Sequence, residues 1–148
     1  MKQQLLVLHG LPASGKSTFA RKWVEENPTT RVRINRDDIR RQLGPYFIGS
    51  REELVTTIER LSVFESLKAG YSVVIDATNL NPKYYKWPHL LNQWLIQDSF
   101  PESEDIEFVE NKSFLEVSVD ECIRRDSLRP ENERVGEEVI RRMAKFIQ

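Results

Sequence analysis

The run Gly10-Leu11-Pro12-Ala13-Ser14-Gly15-Lys16-Ser17 fits the pattern G-x-x-x-x-G-K-[ST]. Each fixed position has a chemical reason. The glycines let the backbone curl so that its N–H groups face a phosphate. The lysine places a cation on the β and γ phosphates, and the final hydroxyl is a ligand for Mg²⁺. A helix opening at this point aims its positive end at the same anion. Gly10, Ala13, Ser14, Gly15, Lys16, Ser17 and Thr18 are therefore the candidate contacts for ATP or another nucleoside triphosphate, with Ser17 also on the metal.

A second group stands at Asn35-Arg36-Asp37-Asp38-Ile39-Arg40. A carboxylate here could accept a proton from an attacking hydroxyl, a contribution of about 10²–10⁴-fold. The plainer reading is that Asp37 or Asp38 only caps a short helix. Arg40 lies three residues after Asp37, so both can face one way on a helical turn, and Arg40 could hold a phosphate of an acceptor. Arg36 could touch the acceptor's terminal base or backbone, or form a surface ion pair. A third acidic position, Asp76, ends the apolar run Val73-Val74-Ile75, where a carboxylate serving Mg²⁺ would stand.

What the sequence lacks narrows the chemistry. Asn111-Lys112 is followed by Ser113-Phe114, so there is no N-K-x-D guanine-reading motif. Ala77 follows Asp76, where a hydrolytic ATPase would carry a glutamate. A small chain without a hydrolytic signature favours phosphoryl transfer to an acceptor other than water. A kinase of a small hydroxyl compound (a nucleoside, sugar or antibiotic) and a non-catalytic nucleotide-binding module are the competing readings.

The elements that must position these groups follow from periodicity and punctuation. Leu5 to Leu8 reads as a buried strand, the loop follows, and 17–26 reads as a helix ended by Asn27-Pro28. A strand is expected over 32–35 and a short helix over 37–43, stopped by Gly44-Pro45. Ser50 and Glu53 have capping-box spacing and open a helix expected to bury Leu54, Ile58, Leu61 and Phe64, with Gly70 closing it. Val73 to Ile75 has the unbroken apolar character of a parallel strand. Asn81-Pro82 reads as a helix start, with a break at Pro88, and 98–104 as a polar loop. One or two strands are expected within 106–117. Ser118 and Glu121 form a second capping box for a helix through about 127, a charged loop runs over 130–134, and 136–148 closes as a helix. Strands alternating with helices argue for an α/β fold: a parallel sheet of about four strands flanked by helices.

The chain has 148 residues, enough for the single domain expected over 1–148. Its one cysteine, Cys122, rules out an internal disulfide. The first apolar run flows directly into the loop and reads as a strand, not a signal peptide, and no segment is long enough to span a membrane; a cytoplasmic location is expected. The formal net charge is −1. Proteins that coat long nucleic acids carry a basic excess, so any nucleic-acid contact here is expected to be local, near one end. His9 and His89 lack metal-ligand partners at useful spacing. Tyr84, Tyr85 and Trp87 could stack on a base, though packing is the ordinary role of such side chains.

Taken together, Gly10 to Thr18, Asn35-Arg36-Asp37-Asp38 with Arg40, and Asp76-Ala77-Thr78-Asn79-Leu80-Asn81-Pro82 resemble the 5′-hydroxyl polynucleotide kinases of nucleic-acid end repair, in the order of the phage kinase domain. The resemblance covers almost the whole chain. It implies a P-loop kinase fold with a helical lid, and transfer of a γ-phosphate to the 5′-hydroxyl end of RNA or DNA. It implies Asp37 as general base, Arg40 on the acceptor phosphate, Lys16 and Ser17 on the donor, and Arg129 as the lid arginine, with Arg125 a second lid candidate. Thr78 and Asn79 would line the acceptor groove. The phage pattern places its acid immediately before Thr-Asn, where this chain has Ala77; Asp76, one residue earlier, resembles the eukaryotic spacing and could serve Mg²⁺ or the acceptor arginine. Neither D-x-D-G-T nor K-x-D-G occurs, so the resemblance implies a kinase without a phosphatase or ligase.

Overall fold

The computed structural model describes residues 2–81, Trp87 and residues 106–147. The expected helix after Asn81, the break at Pro88, the loop at 98–104, and Tyr84, Tyr85 and His89 lie outside these residues. Four strands, β1 (Gln4–Leu8), β2 (Arg31–Asn35), β3 (Ser72–Asp76) and β4 (Glu107–Asn111), form one parallel sheet in the order β2-β3-β1-β4. The helices are α1 (Lys16–Glu25), α2 (Arg36–Leu43), α3 (Glu52–Lys68), α4 (Val119–Ser127) and α5 (Glu137–Ala144).

The continuous apolar runs of β1 and β3 are explained by burial on both faces. Successive side chains of a strand alternate between faces. Leu5, Val7, Val73 and Ile75 pack with Val63 and Leu67 of α3, together with Trp87 and Ile106. Leu6, Leu8 and Val74 pack with Ala20 and Trp23 of α1 on the other side. A third cluster joins Leu11 and Leu80, just past β1 and β3, to Cys122 of α4 and Ile140 of α5. It fixes α4 beside the loop that follows β1. Trp87 is a core residue and takes the packing role, not that of an exposed base-stacking platform.

The expected apolar face of α3 is corrected by one residue. Leu54 and Leu61 are exposed, and the buried line is Val55, Glu59, Val63 and Leu67, each four residues apart. A buried glutamate is tolerated in that line because Arg36 reaches it, Nη1 to Oε1 at 3.0 Å. The Ser50/Glu53 box does not form. A 3₁₀ turn over Gly49–Arg51 precedes α3, with the Arg51 N–H donating to the Ile48 carbonyl, so Arg51 stands at the helix entrance without a side-chain cap. The second box forms as expected, with Ser118 Oγ accepting from the Glu121 N–H at 3.1 Å. Residues 106–117 hold the one strand β4, followed by a 3₁₀ turn over Ser113–Glu116.

Candidate active site

Three of the four strands end beside the phosphate loop. β1 runs directly into it, and the Gly10 N–H donates to the Thr78 carbonyl beyond β3 at 3.0 Å. A Cβ on Gly10 would lie 2.7 Å from Phe114 Cβ and 2.8 Å from Ser14 Oγ, so only glycine fits between them. Gly15 has φ 104, and Ala13 sits in the left-handed region at φ 64, a conformation costly for a residue with a side chain. Such strain persists where surrounding structure enforces it, and it collects at ligand-binding loops.

Lys16 folds back over this loop. Its Nζ donates to the Leu11 carbonyl at 2.6 Å and to Ser14 Oγ at 3.3 Å, and the side chain is buried. Burial lowers its pKa to about 8, against the opposing charges of Asp76 and Asp37; the charge of Arg129 adds to the lowering. Lys16 thus feels the charges of both candidate carboxylates and of the candidate lid arginine. The depressed value gives a test. Only the ammonium form pairs with a phosphate, so above pH 8 nucleotide binding must return a proton to Lys16. Calorimetry of triphosphate binding in buffers of different ionisation enthalpy is expected to show uptake approaching one proton near pH 9 and none near pH 6.5. Lys16→Met is expected to abolish the uptake, and identical uptake at both pH values would contradict the assignment.

Asp37 is presented by α2, and the residue that fixes α2 is Asn35. Its Oδ1 accepts from the Asp38 N–H at 2.9 Å while its Nδ2 donates to the Asp76 carbonyl at 2.8 Å. This corrects the reading in which Asp37 or Asp38 caps the helix: Asn35 does so, and it pins the helix start to the end of β3. A typical N-cap contributes about 0.5–2 kcal/mol. Asp37 is then free for chemistry. Its Oδ1 accepts from Arg40 Nη1 at 2.7 Å and from the Tyr46 hydroxyl at 2.9 Å, whereas Oδ2 accepts no hydrogen bond among the described residues. Burial, then the neighbouring Asp37 charge, pushes the Tyr46 hydroxyl up to about 12, so it remains a donor.

Glu52 of α3 grips Arg40 from the other side, Nε to Oε2 at 3.0 Å and Nη2 to Oε1 at 2.6 Å. Burial alone would lower the Arg40 pKa; the bond to Glu52 and the charges of Asp37 and Glu52 outweigh it and raise it. The same Arg40 bond holds the Glu52 carboxyl below the usual range. Arg40 is therefore a fixed cation beside Asp37. Arg36, by contrast, turns to α3, pairing with Glu59 and approaching Glu52 at 3.5 Å, so its side chain braces α2 against α3. Burial raises the Glu59 pKa, against the opposing charge of Arg36.

Asp76 is almost wholly buried and pairs with Arg33, not with Arg40. Val74 faces α1, so Asp76, two residues on, faces that side as well, and so do Arg33 and Asn35, which stand opposite Val74 and Asp76 in the ladder. Arg33 Nε donates to Asp76 Oδ2 at 2.8 Å and Nη1 to Asp38 Oδ2 at 2.7 Å, with Nη2 3.5 Å from Ser17 Oγ. A hydroxyl and a buried carboxylate thus converge on one cationic position. That donor set fits Mg²⁺, which takes one or two protein oxygens and completes its shell with phosphates and water. Among the described residues no cluster of three or more His, Cys, Asp or Glu could hold a metal by itself.

Asn79 has a structural task. It is buried at φ 48, and its Nδ2 donates to the Leu8 carbonyl at 2.6 Å and the Ala77 carbonyl at 3.3 Å. Its carbonyl accepts from His9 Nδ1 at 2.8 Å, while His9 Nε2 lies 3.1 Å from Glu110. These contacts tie the ends of β1, β3 and β4 together. Thr78 is half-buried and uses its carbonyl on Gly10. Arg125 on α4 brings Nη1 to 3.5 Å from the Ala13 carbonyl. Arg129 lies past the end of α4, its N–H bonded to the Asp126 carbonyl and its Nη1 3.6 Å from Asp126 Oδ1.

Arg33, Tyr46 and Glu52 are the site residues that motif reading misses. A trace of Arg33 does exist in the sequence: an arginine two positions before Asn35 in a strand shares its face.

Residues 5–148 match the profile of a family described as AAA domain. Among solved structures, a chain of the Pnkp1/Rnl/Hen1 RNA repair complex superposes with a TM-score of 0.73 at 29% identity, covering 99% of this chain and 44% of that one. A second structure of the Pnkp1/Rnl/Hen1 complex gives 0.57 at 34% identity, covering 84% and 39%. This chain therefore spans less than half the length of either of those two repair-complex chains. The Mycobacterium tuberculosis APS kinase CysC, in complex with AMPPNP and APS, shares the fold with a TM-score of 0.59 at 16% identity, covering 99% and 98%. The architecture is that of the P-loop kinases. No described helix is long and apolar enough to cross a membrane.

Proposed function

The chain belongs to the AAA domain family, and from that premise we propose that it transfers the γ-phosphate of a nucleoside triphosphate to the 5′-hydroxyl end of RNA or DNA. The observation that carries this reading is the Asp37–Arg40 pair: a carboxylate with one uncommitted oxygen, whose charge reaches Lys16 of the phosphate loop, next to a guanidinium locked by Glu52. A nucleic-acid end offers a hydroxyl with a phosphodiester close by, which this pair matches. The likeness to chains of an RNA repair complex supports the same substrate class.

In this mechanism the loop amides and Lys16 hold the donor, and Arg40 holds the acceptor phosphodiester. Asp37 Oδ2 takes the hydroxyl proton as the hydroxyl oxygen bonds to the γ-phosphorus. The bond from that phosphorus to the bridging oxygen breaks, and the nucleoside diphosphate leaves. Ser17 and Asp76 would hold Mg²⁺, which neutralises charge on the donor phosphates. Arg125 and Arg129 close over the loop and spread charge on the transferring group. A single domain over 1–148 acting at nucleic-acid ends in the cytoplasm completes the reading.

The test is radiolabel transfer from a triphosphate to matched RNA and DNA oligonucleotides with 5′-hydroxyls, against a panel of nucleosides, sugars and other small alcohols. Labelling confined to the small compounds would replace the substrate class, and no turnover on any acceptor would favour a binding module. Arg40→Ala is expected to raise the acceptor KM by roughly tenfold or more, as for a lost charged phosphate contact, with little change in the donor KM. Equal damage to both would remove Arg40 from the acceptor side.

A further inference from the structure

Ser17 and Asp76 form the corner that suits a divalent cation, yet a cation of the protein's own already stands in it. Arg33 donates to Asp76 Oδ2 at 2.8 Å and lies 3.5 Å from Ser17 Oγ. Asp76 is buried, and this is the ion pair that it makes among the described residues. A guanidinium and a divalent ion cannot share these oxygens without close like-charge contact, which at contact distances is unfavourable even in a partly hydrated protein. The same guanidinium has a second hold, Nη1 on Asp38 at 2.7 Å, and Asp38 is half exposed. Arg33 can therefore release Asp76 and Ser17 by pivoting toward solvent without losing its last anionic partner.

We infer that Arg33 is a resident cation of the metal corner: it keeps Asp76 and Ser17 closed to a free divalent ion, and yields them only when that ion comes with the donor triphosphate. The gain is in order of events. A triphosphate supplies several further anionic ligands to its metal, enough to displace one guanidinium where the two protein oxygens alone are not. While the corner is shut, Arg33 also neutralises a buried carboxylate that would otherwise be costly to leave unpaired. This inference rests on the reading of the phosphate loop as a donor site and is independent of the acceptor.

The experiment measures Mn²⁺ binding by electron paramagnetic resonance and by thermal shift, first with Mn²⁺ alone and then with Mn²⁺ and AMPPNP. The wild-type chain is expected to bind Mn²⁺ weakly alone and well with AMPPNP. Arg33→Met removes the charge, and Arg33→Gln removes it while keeping an N–H donor for Asp76. Both are expected to bind Mn²⁺ alone about tenfold or more tighter than wild type, whereas R33K, which keeps a cation, stays close to wild type. Should both neutral variants fail to fold in chelator, refolding on addition of Mn²⁺ alone supports the inference, because the ion then replaces the guanidinium. It is overturned if the neutral variants gain no affinity for Mn²⁺, if R33K gains as much as they do, or if Mn²⁺ does not restore an unfolded variant. Failure of the wild type to bind AMPPNP with Mn²⁺ would instead sink the donor-site reading.

Discussion

Replacing Asp37 with asparagine is expected to lower transfer to a 5′-hydroxyl by about 10²–10⁴-fold while leaving nucleotide binding nearly intact. The substitution is close to isosteric. The side-chain carbonyl of the variant can still accept from Arg40 and Tyr46, as Oδ1 does now. What disappears is the second oxygen, the one free to take a proton. The charge of Asp37 also acts on Lys16, but burial and Asp76 are the larger influences there, so the donor side should change little. End-labelling under single-turnover conditions, with AMPPNP affinity measured in parallel, separates the two effects. A variant that keeps most of its activity would remove Asp37 as the base.

The second large effect is expected from the arginines of α4 and the turn after it. Loss of both Arg125 and Arg129 to alanine should cost about 10³–10⁵ in kcat, the range for arginines that stabilise a transferring phosphoryl group. The fold should survive. The Arg125–Glu121 pair is largely exposed, and exposed pairs contribute little to stability. Asp126, the buried partner of Arg129, keeps two other donors, the Val135 and Gly136 N–H groups at 2.9 Å each. A change confined to the nucleotide KM, with kcat unaltered, would show that these side chains bind the ground state only. A lowered unfolding temperature would place them in the structural frame instead.

Local signals in the sequence carried the architecture. The loop pattern, the apolar strands and the Ser118 cap depend on residues close together in the chain, and these elements stand where the residues place them. The pairing partners were less legible. Asp76 meets Arg33 across 43 residues and Glu52 meets Arg40 across 12. The first pair requires the register of β2 against β3 and the second the packing of α2 against α3, neither of which motif spacing contains. The α3 face was misread for a related reason. Two apolar lines run along that helix, and the buried one includes Glu59, whose presence makes sense only once Arg36 is seen to reach it. Arg36 and Asn79 show how motif reading misses internal partners: both belong to family-like segments, and their side chains bond within the protein.

The sheet order has a kinetic consequence. β1 lies between β3 and β4, and its partners arrive 68 and 103 residues later in the chain, as the contacts of Gln4 with Ser72 and Glu107 illustrate. Non-local parallel pairing must close long loops before it gains contacts, and domains built this way fold slowly. During synthesis the strand that delivers the phosphate loop waits, apolar and unpaired, until β3 has been made, and its other edge until β4 follows. The nucleotide cradle is therefore among the last parts to assemble, and a ribosome-bound chain stopped before Glu107 is expected to lack it.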